Sequence, residues 1–89
     1  MFQIEFDGIV FKEGEIFISY CPKLDVSSCG NTVDEARTNL KTAVRLFLEE
    51  AAKMGTVEDI LKESGYEQIN LNRWATPRLV ATELMSIAV

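Results

Sequence analysis

Two cysteines, Cys21 and Cys29, are the side chains whose type and spacing could support metal or redox chemistry. A structural zinc ion usually takes four Cys or His ligands. The sequence contains no histidine, so carboxylates or a second subunit would have to complete such a site. If the chain turns tightly at 22–23 or 23–24, Cys29 lies about 10 to 16 Å along the strand from Cys21, too far for a disulfide. Only a wide loop centred on Asp25 would bring the two thiols face to face. We expect two small, partly buried free thiols.

Carboxylates are the other groups that could do chemistry. Glu13, Glu15 and Asp25 lie near the predicted second and third strands, but their spacing does not indicate an acid/base pair. The absence of histidine removes the commonest general base. We therefore expect a protein that is not an enzyme and has no catalytic, cofactor-binding or metal-binding residues. The alternative is a residual nucleic-acid hydrolase in which these three carboxylates hold a divalent metal.

The charge balance favours a basic protein partner. Nine Lys and Arg stand against fourteen Asp and Glu, a net charge of -5, which opposes direct phosphate binding. The candidate contact residues are Glu13, Glu15, Asp25 and Trp74. Trp74 lies near Arg73 and Arg78 and could anchor a partner or RNA, but a core or rim position is the favoured interpretation. No helix-turn-helix or zinc-finger pattern is present, so direct DNA binding is not expected.

Alternating apolar residues predict three strands before any helix. Phe2, Ile4 and Phe6 alternate with polar residues, and the Asp7-Gly8 pair interrupts the alternation and indicates a bulge or kink. A turn at 13–14 leads into a second strand over 15–21. Pro22 ends that strand, and residues 24–30 return as the third. The pattern predicts an antiparallel meander.

A long helix should follow the meander. Thr32 and Glu35 form a capping-box pattern, in which the Glu35 carboxylate would accept from the amide of Thr32. Gly55 should end the helix. Arg45 and Glu49 can pair on the solvent face. The apolar residues recur at steps of three and four and predict a buried stripe, whose members are Ala36, Leu40, Ala43, Val44, Phe47, Leu48, Ala51 and Met54.

The rest of the chain is harder to interpret. Thr56 and Asp59 can open a short helix that Gly65 closes. Residues 67–80 contain Pro77 and many polar side chains, which favours an irregular or edge segment. Residues 81–89 have the composition of a terminal strand. The expected fold class is α+β, a two-layer sandwich with three meander strands, a long helix, a short helix and a terminal strand, in one domain over 1–89.

The stretch GEIFISYCPKLDVSSCGNTVDEARTNLKTAVRLFLEE, residues 14–50, resembles the HicB-like antitoxin family. In that family a strand that ends at a proline and a leucine is followed by a Gly-x-Thr turn and a helix rich in Glu and Ala. The resemblance covers about the first sixty residues. The matching residues are Tyr20, Pro22, Leu24, Gly30, Thr32, Glu35, Ala36, Leu40 and Ala43.

The resemblance implies a reduced ribonuclease-H-like α+β domain that binds and blocks a small basic toxin that cleaves messenger RNA. Many members also carry a C-terminal DNA-binding module, and the chain after LMSIAV leaves no length for one, so autorepression is not expected. An exposed sheet edge invites a homodimer or a higher homo-oligomer. A purely oligomeric scaffold without a toxin is a further alternative. No signal peptide or membrane span is indicated, so we expect a cytoplasmic protein without a membrane partner.

Overall fold

The computed structural model describes residues 3–89 and confirms the α+β class. Phe2, the first residue of the predicted strand pattern, lies outside the described residues. The elements occur in the chain order β1 Gln3–Ile4, β2 Ile9–Glu13, β3 Ile16–Cys21, β4 Val26–Gly30, α1 Val33–Lys53, α2 Val57–Glu63, β5 Glu67–Asn70 and β6 Arg73–Ala75.

The described strands form two small sheets, where the sequence analysis expected a meander and one terminal strand. β2, β3 and β4 form an antiparallel sheet in that order, as predicted for a meander. β1 pairs in parallel with β6, and β5 pairs antiparallel with β6. The predicted interruption at Asp7-Gly8 is therefore a full break, and the two halves of the first predicted strand belong to different sheets.

Two short turns set the register of the β2-β3-β4 sheet. Gly14 and Glu15 connect β2 to β3, and Gly14 has a φ of 63°. Such a glycine at the first central position is typical of a type II′ hairpin turn. Residues 22–25 connect β3 to β4 and place Cys21 opposite Val26. The ladder is centred between Lys23 and Leu24, which was one of the two tight turns expected from the sequence.

The N-terminus of α1 is capped largely as predicted. The Thr32 hydroxyl accepts a hydrogen bond from the amide of Glu35 at 3.0 Å. The Glu35 carboxylate accepts from the amide of Asn31 at 3.2 Å, so the predicted bond to the amide of Thr32 is wrong by one residue. Asp34 and Glu35 add negative charge to the first turn, where the helix dipole favours it.

The buried stripe of α1 differs from the predicted one. Ala36, Leu40, Val44 and Ala51 are buried, and Leu48 packs partly buried against the core. These residues lie at steps of four and then three. Phe47 and Met54 are exposed, which contradicts their predicted core positions. Helical steps of three and four are compatible with burial of either Phe47 and Met54 or Val44 and Leu48. The position of the sheet determines which of these side chains are buried.

Both helices end in the same way. At the end of α1, Gly55 N–H donates to Ala52 and Thr56 N–H donates to Ala51. At the end of α2, Gly65 and Tyr66 donate to Lys62 and Leu61. This paired arrangement is the Schellman motif, so the predicted ends at Gly55 and Gly65 are confirmed. The Thr56 hydroxyl donates back to Ala51 and does not cap α2.

The segment after α2 contradicts one prediction. Strands β5 and β6 form within the stretch expected to be irregular or an edge, and residues 76–89 have no regular secondary structure. The predicted terminal strand over 81–89 is therefore wrong. β6 carries Trp74, whose large ring is buried among both helices and both sheets, so burial of one aromatic residue outweighs the polar composition around it.

One core joins all the layers. α1 packs across β3 and β4 and also contacts α2. The core comprises Cys21, Leu24, Leu40, Val44, Leu61, Tyr66 and Trp74. No helix within residues 3–89 combines the length and the apolar composition needed to cross a membrane.

Candidate partner-binding surfaces

The two cysteines lie on opposite faces of the β2-β3-β4 sheet. Cys29 pairs with Ile18, three residues along β3 from Cys21, so alternate side-chain direction separates them. Cys21 is wholly buried against the helix layer and Cys29 is exposed, and both are free thiols. Burial raises the pKa of the Cys21 thiol above its usual value. The expected separation is confirmed, and neither thiol can reach the other.

The three acidic candidate residues do not form one site. Glu13 and Glu15 flank Gly14 at the β2–β3 turn, whereas Asp25 lies in the turn at the other end of β3. A six-residue strand separates the two ends by roughly 17 Å. Within residues 3–89, no three or more Cys, Asp or Glu side chains are grouped closely enough to hold a metal ion.

Asp25 has a local structural contact. It has a φ of 54° and its carboxylate accepts a hydrogen bond from the Tyr20 hydroxyl at 2.9 Å. This bond, with the nearby negative charge, raises the pKa of Tyr20. The contact joins β3 to the last residue of the β3–β4 turn. Asp25 therefore has a structural role in this turn.

Trp74 is 2% exposed and belongs to the core. A core or rim position was the interpretation that the sequence favoured, and the ring is not available as a surface anchor. Its neighbour Arg73 forms an ion pair with Glu5. Of the four candidate contact residues, Glu13 and Glu15 therefore remain together on one exposed surface, which we name the acidic turn.

The residues of the family resemblance lie around the passage from β3 through β4 into α1. Leu24, Gly30 and Ala36 are buried there, and Thr32 and Glu35 cap the helix. A Cβ on Gly30 would lie 2.6 Å from the amide nitrogen of Ala36. This contact explains the glycine, because the start of α1 rests directly on the backbone of β4.

The β2-β3-β4 sheet carries an apolar surface that was not predicted from the sequence. Ser19 and Cys21 face α1 and are wholly buried, so the alternate residues of β3 point away from the helix layer. Their cross-strand partners lie on the same side. We name the apolar residues of this surface the open face, and they are Ile9, Phe11, Ile16, Ile18, Tyr20 and Cys29. Glu13 and Ser27, the partners of Ile16 and Tyr20, lie at its border on the same side.

The open face is unusually apolar for a surface without a covering element. Phe11 is 54% exposed and Ile16 is 40% exposed, and neither belongs to the core or packs against it. Both strand faces in Ile16–Cys21 carry apolar residues, and such a strand is typical of a sheet that is covered on both sides. That composition was the signal from which the open face could have been found.

A shallow cleft of about 320 Å³ lies beside the N-terminal strand and is lined by Ile4, Glu5, Phe6, Asp7, Thr76 and Arg78. Its carboxylates already have partners. Glu5 binds Arg73, and the Asp7 carboxylate accepts from the backbone amide of Leu79 at 3.0 Å. The bond to Asp7 therefore holds the chain at Leu79 against the domain.

Beyond that anchor, the chain from Val80 to Val89, which we name the C-terminal segment, is exposed. Val80 is 95% exposed, Leu84 is 100% exposed and Ile87 is 83% exposed. These side chains are apolar but contribute nothing to the core of their own chain. Comparison with protein-family models, with curated proteins and with solved structures finds no match.

Proposed function

We propose that this protein is a binding protein of the HicB-like antitoxin type that acts in the cytoplasm. It would occlude the RNA-binding surface of a small basic ribonuclease, without catalysing a reaction and without binding DNA itself. The observation that carries the proposal is the acidic turn, where Glu13 and Glu15 are both exposed on a tight hairpin.

The acidic turn is suited to a basic partner. Neither Glu13 nor Glu15 forms an ion pair with another residue in the range 3–89, whereas Arg37 and Arg45 pair with acids on their own helix. The turn therefore keeps its full negative charge. Together with the net charge of -5, it would attract a basic surface and speed its association.

The proposed mechanism is steric and electrostatic. Carboxylates at the end of a rigid hairpin can take the positions that RNA phosphates would occupy on a basic surface. Such contacts need no catalytic group. The complex should weaken as salt is added, because screening acts strongly on exposed charges. The resemblance over residues 14–50 supplies the class of the partner.

The hydrolase alternative requires Glu13, Glu15 and Asp25 to share one metal site. No observation favours it, since Glu13 and Glu15 lie at one end of β3 and Asp25 at the other. The scaffold alternative has an observation in its favour, the uncovered apolar open face, and concerns contacts between copies of this chain.

The test is co-expression with the small basic protein encoded beside this one, followed by purification of the complex and a growth assay. A stable complex and restored growth are expected. Charge reversal of the turn in Glu13→Lys/Glu15→Lys should weaken binding at least tenfold, because like charges brought together across an interface cost several kcal/mol.

The matched control is Glu50→Lys/Glu63→Lys. Both residues are exposed on the helices and form no ion pair within the described chain, so this variant makes the same change in net charge away from the turn. Equal weakening in the two double variants would contradict the role of the acidic turn. Absence of any complex, with no effect on growth, would overturn the proposed function.

A further inference from the structure

Two apolar surfaces of this chain have no partner in their own fold. One is the open face, represented by Phe11 at 54% exposure, and the other is the C-terminal segment, represented by Leu84 at 100% exposure. Monomeric proteins seldom leave contiguous apolar surface in water, and larger patches usually mark an interaction site. The two surfaces together need an explanation.

The C-terminal segment does not cover the open face of its own molecule. Leu84, Met85 and Ile87 are each at least 74% exposed. The radius of gyration is 14.8 Å, compared with about 12 Å for a compact domain of this length. The protein is therefore more extended than a compact domain of the same length. The C-terminal segment projects beyond the hydrogen bond between Leu79 and Asp7.

We infer that the occupant of the open face is the C-terminal segment of a second copy of this chain. In the resulting dimer each copy lays residues 80–89 across the open face of the other. A reciprocal exchange covers both open faces and both C-terminal segments at once. It has twofold symmetry, which is usual for a homodimer. Extended, the ten residues span about 33 Å, which exceeds the length of β3.

The low local charge at this place permits contact with a copy of the same chain. Two molecules that each carry a net charge of -5 repel each other at a distance. The C-terminal segment has one charged side chain, Glu83, and the side of the sheet that carries the open face has one on its strands, Glu13, at the end next to the turn. Two copies can therefore meet here without bringing rows of carboxylates together.

The area is sufficient for a stable dimer. Val80, Leu84, Met85, Ile87 and Val89 are each at least 74% exposed, and each would bury on the order of 100 Å². Two exchanged segments and the two faces they cover then bury about 2,000 Å² in total, which exceeds the roughly 1,200 Å² at the lower end of stable interfaces. The surface lost from water is mostly apolar.

This inference does not rest on the proposed function, because it is argued from the open face and the C-terminal segment, although Glu13 of the acidic turn borders the open face. A dimer without a toxin partner, or a toxin complex without a dimer, would separate the two proposals.

Thiol cross-linking tests the exchange directly, because Cys29 lies on the open face and is exposed. Wild-type chain is mixed with an affinity-tagged Ser86→Cys/Cys29→Ser chain and oxidised with diamide, which takes up the two thiol hydrogens as the disulfide forms. A tagged heterodimer should form several times faster than with the control Leu46→Cys/Cys29→Ser, whose new thiol lies on the outer side of α1. Equal rates of heterodimer formation in the two mixtures would overturn the inference.

Light scattering after size exclusion measures the same contact without oxidation. The full chain should be a dimer, and Ile87→Asp and Phe11→Asp should each shift it to a monomer. Leu46→Asp, which adds the same charge at another exposed apolar residue, should remain a dimer. A monomeric wild-type chain across the concentration series, or a dimer that survives Ile87→Asp, would overturn the inference, and circular dichroism confirms that each variant is folded.

Discussion

At the scale of single residues, burial separates side chains that look alike in the sequence. Cys21 and Cys29 are both free, but one is wholly buried and the other exposed. Ser19 is also wholly buried, and its hydroxyl finds no hydrogen-bond partner among residues 3–89. Trp74 and Tyr66 lie together in the core. The chemical behaviour of these side chains depends on their surroundings, which cannot be inferred from residue type alone.

Tyr66 is the residue from which a pH dependence follows. It is buried at 3% exposure, and its hydroxyl donates to the backbone carbonyl of Glu5 at 2.8 Å. Burial, with smaller contributions from Cys21 and Asp7, raises the pKa of Tyr66 from 10.0 to about 12. The folded state therefore holds this proton over a range in which the unfolded chain has lost it.

Because the folded state binds more protons there, the free energy of unfolding should fall as pH rises from 10 towards 12. The contribution of Tyr66 is complete below pH 10 and its loss amounts to about 2 kcal/mol. Urea unfolding at a series of pH values measures it. Tyr66→Phe, which starts lower because it loses the bond to Glu5, should lose less stability over the same range. Identical pH profiles for the two proteins would contradict the assignment.

At the scale of elements, the contact between β4 and α1 organises the larger sheet. Gly30 ends β4, two residues separate it from Val33, and Thr32 caps the new helix. The side-chain amide of Asn39 donates to the carbonyl of Cys29 at 2.8 Å and ties the second turn of α1 to the same strand. The helix thus starts against the strand that precedes it and packs back over β3.

Gly30→Ala should disrupt this contact. The new Cβ would meet the backbone of Ala36 at 2.6 Å, and a rigid backbone cannot yield as a side chain can. We expect a loss of about 2 kcal/mol or more in the free energy of unfolding, measured by urea denaturation. Thr32→Ala should cost about 1 kcal/mol through the lost cap.

Ser27→Ala is the control for the effect of alanine on the same strand, because Ser27 is exposed. It should stay within about 0.5 kcal/mol of the wild type. A Gly30→Ala protein as stable as this control would show that α1 can move away from β4 without cost.

At the scale of the whole molecule, both sheets and both helices share one core. Cys21 and Leu24 come from the β2-β3-β4 side, Leu61 comes from α2, and Tyr66 and Trp74 come from the β1-β6-β5 side. The two sheets are separate in hydrogen bonding but not in packing. We expect them to unfold together.

Trp74 is the single tryptophan, so its fluorescence reports on the smaller sheet, whereas far-ultraviolet circular dichroism reports mainly on α1. The two urea transitions should coincide, as they do in two-state unfolding. Leu61→Ala should lower both midpoints equally, with a loss of about 2 to 5 kcal/mol. Separate transitions for the two probes would indicate two independently stable halves.

Much of the fold could be predicted because local rules govern it. Alternation, turn residues and caps predicted β2, β3, β4 and α1. Of the two tight turns considered, the one at 23–24 places Cys29 opposite Ile18, as observed. The errors concern choices that local rules leave open. Phe47 and Met54 occupy positions compatible with helical periodicity but lie outside the contact with the sheet, and the strand predicted over 81–89 lacks a neighbour to pair with.

The candidate surfaces divide in the same way. By itself the amino-acid sequence determined the negative charge, the lack of histidine, the acidic turn and the capped passage into α1, because each depends on composition or on residues a few positions apart. The tertiary structure alone decided that Trp74 is buried and that the open face and the C-terminal segment are both uncovered. Burial and adjacency depend on which distant segments pack together, and no local pattern contains that information.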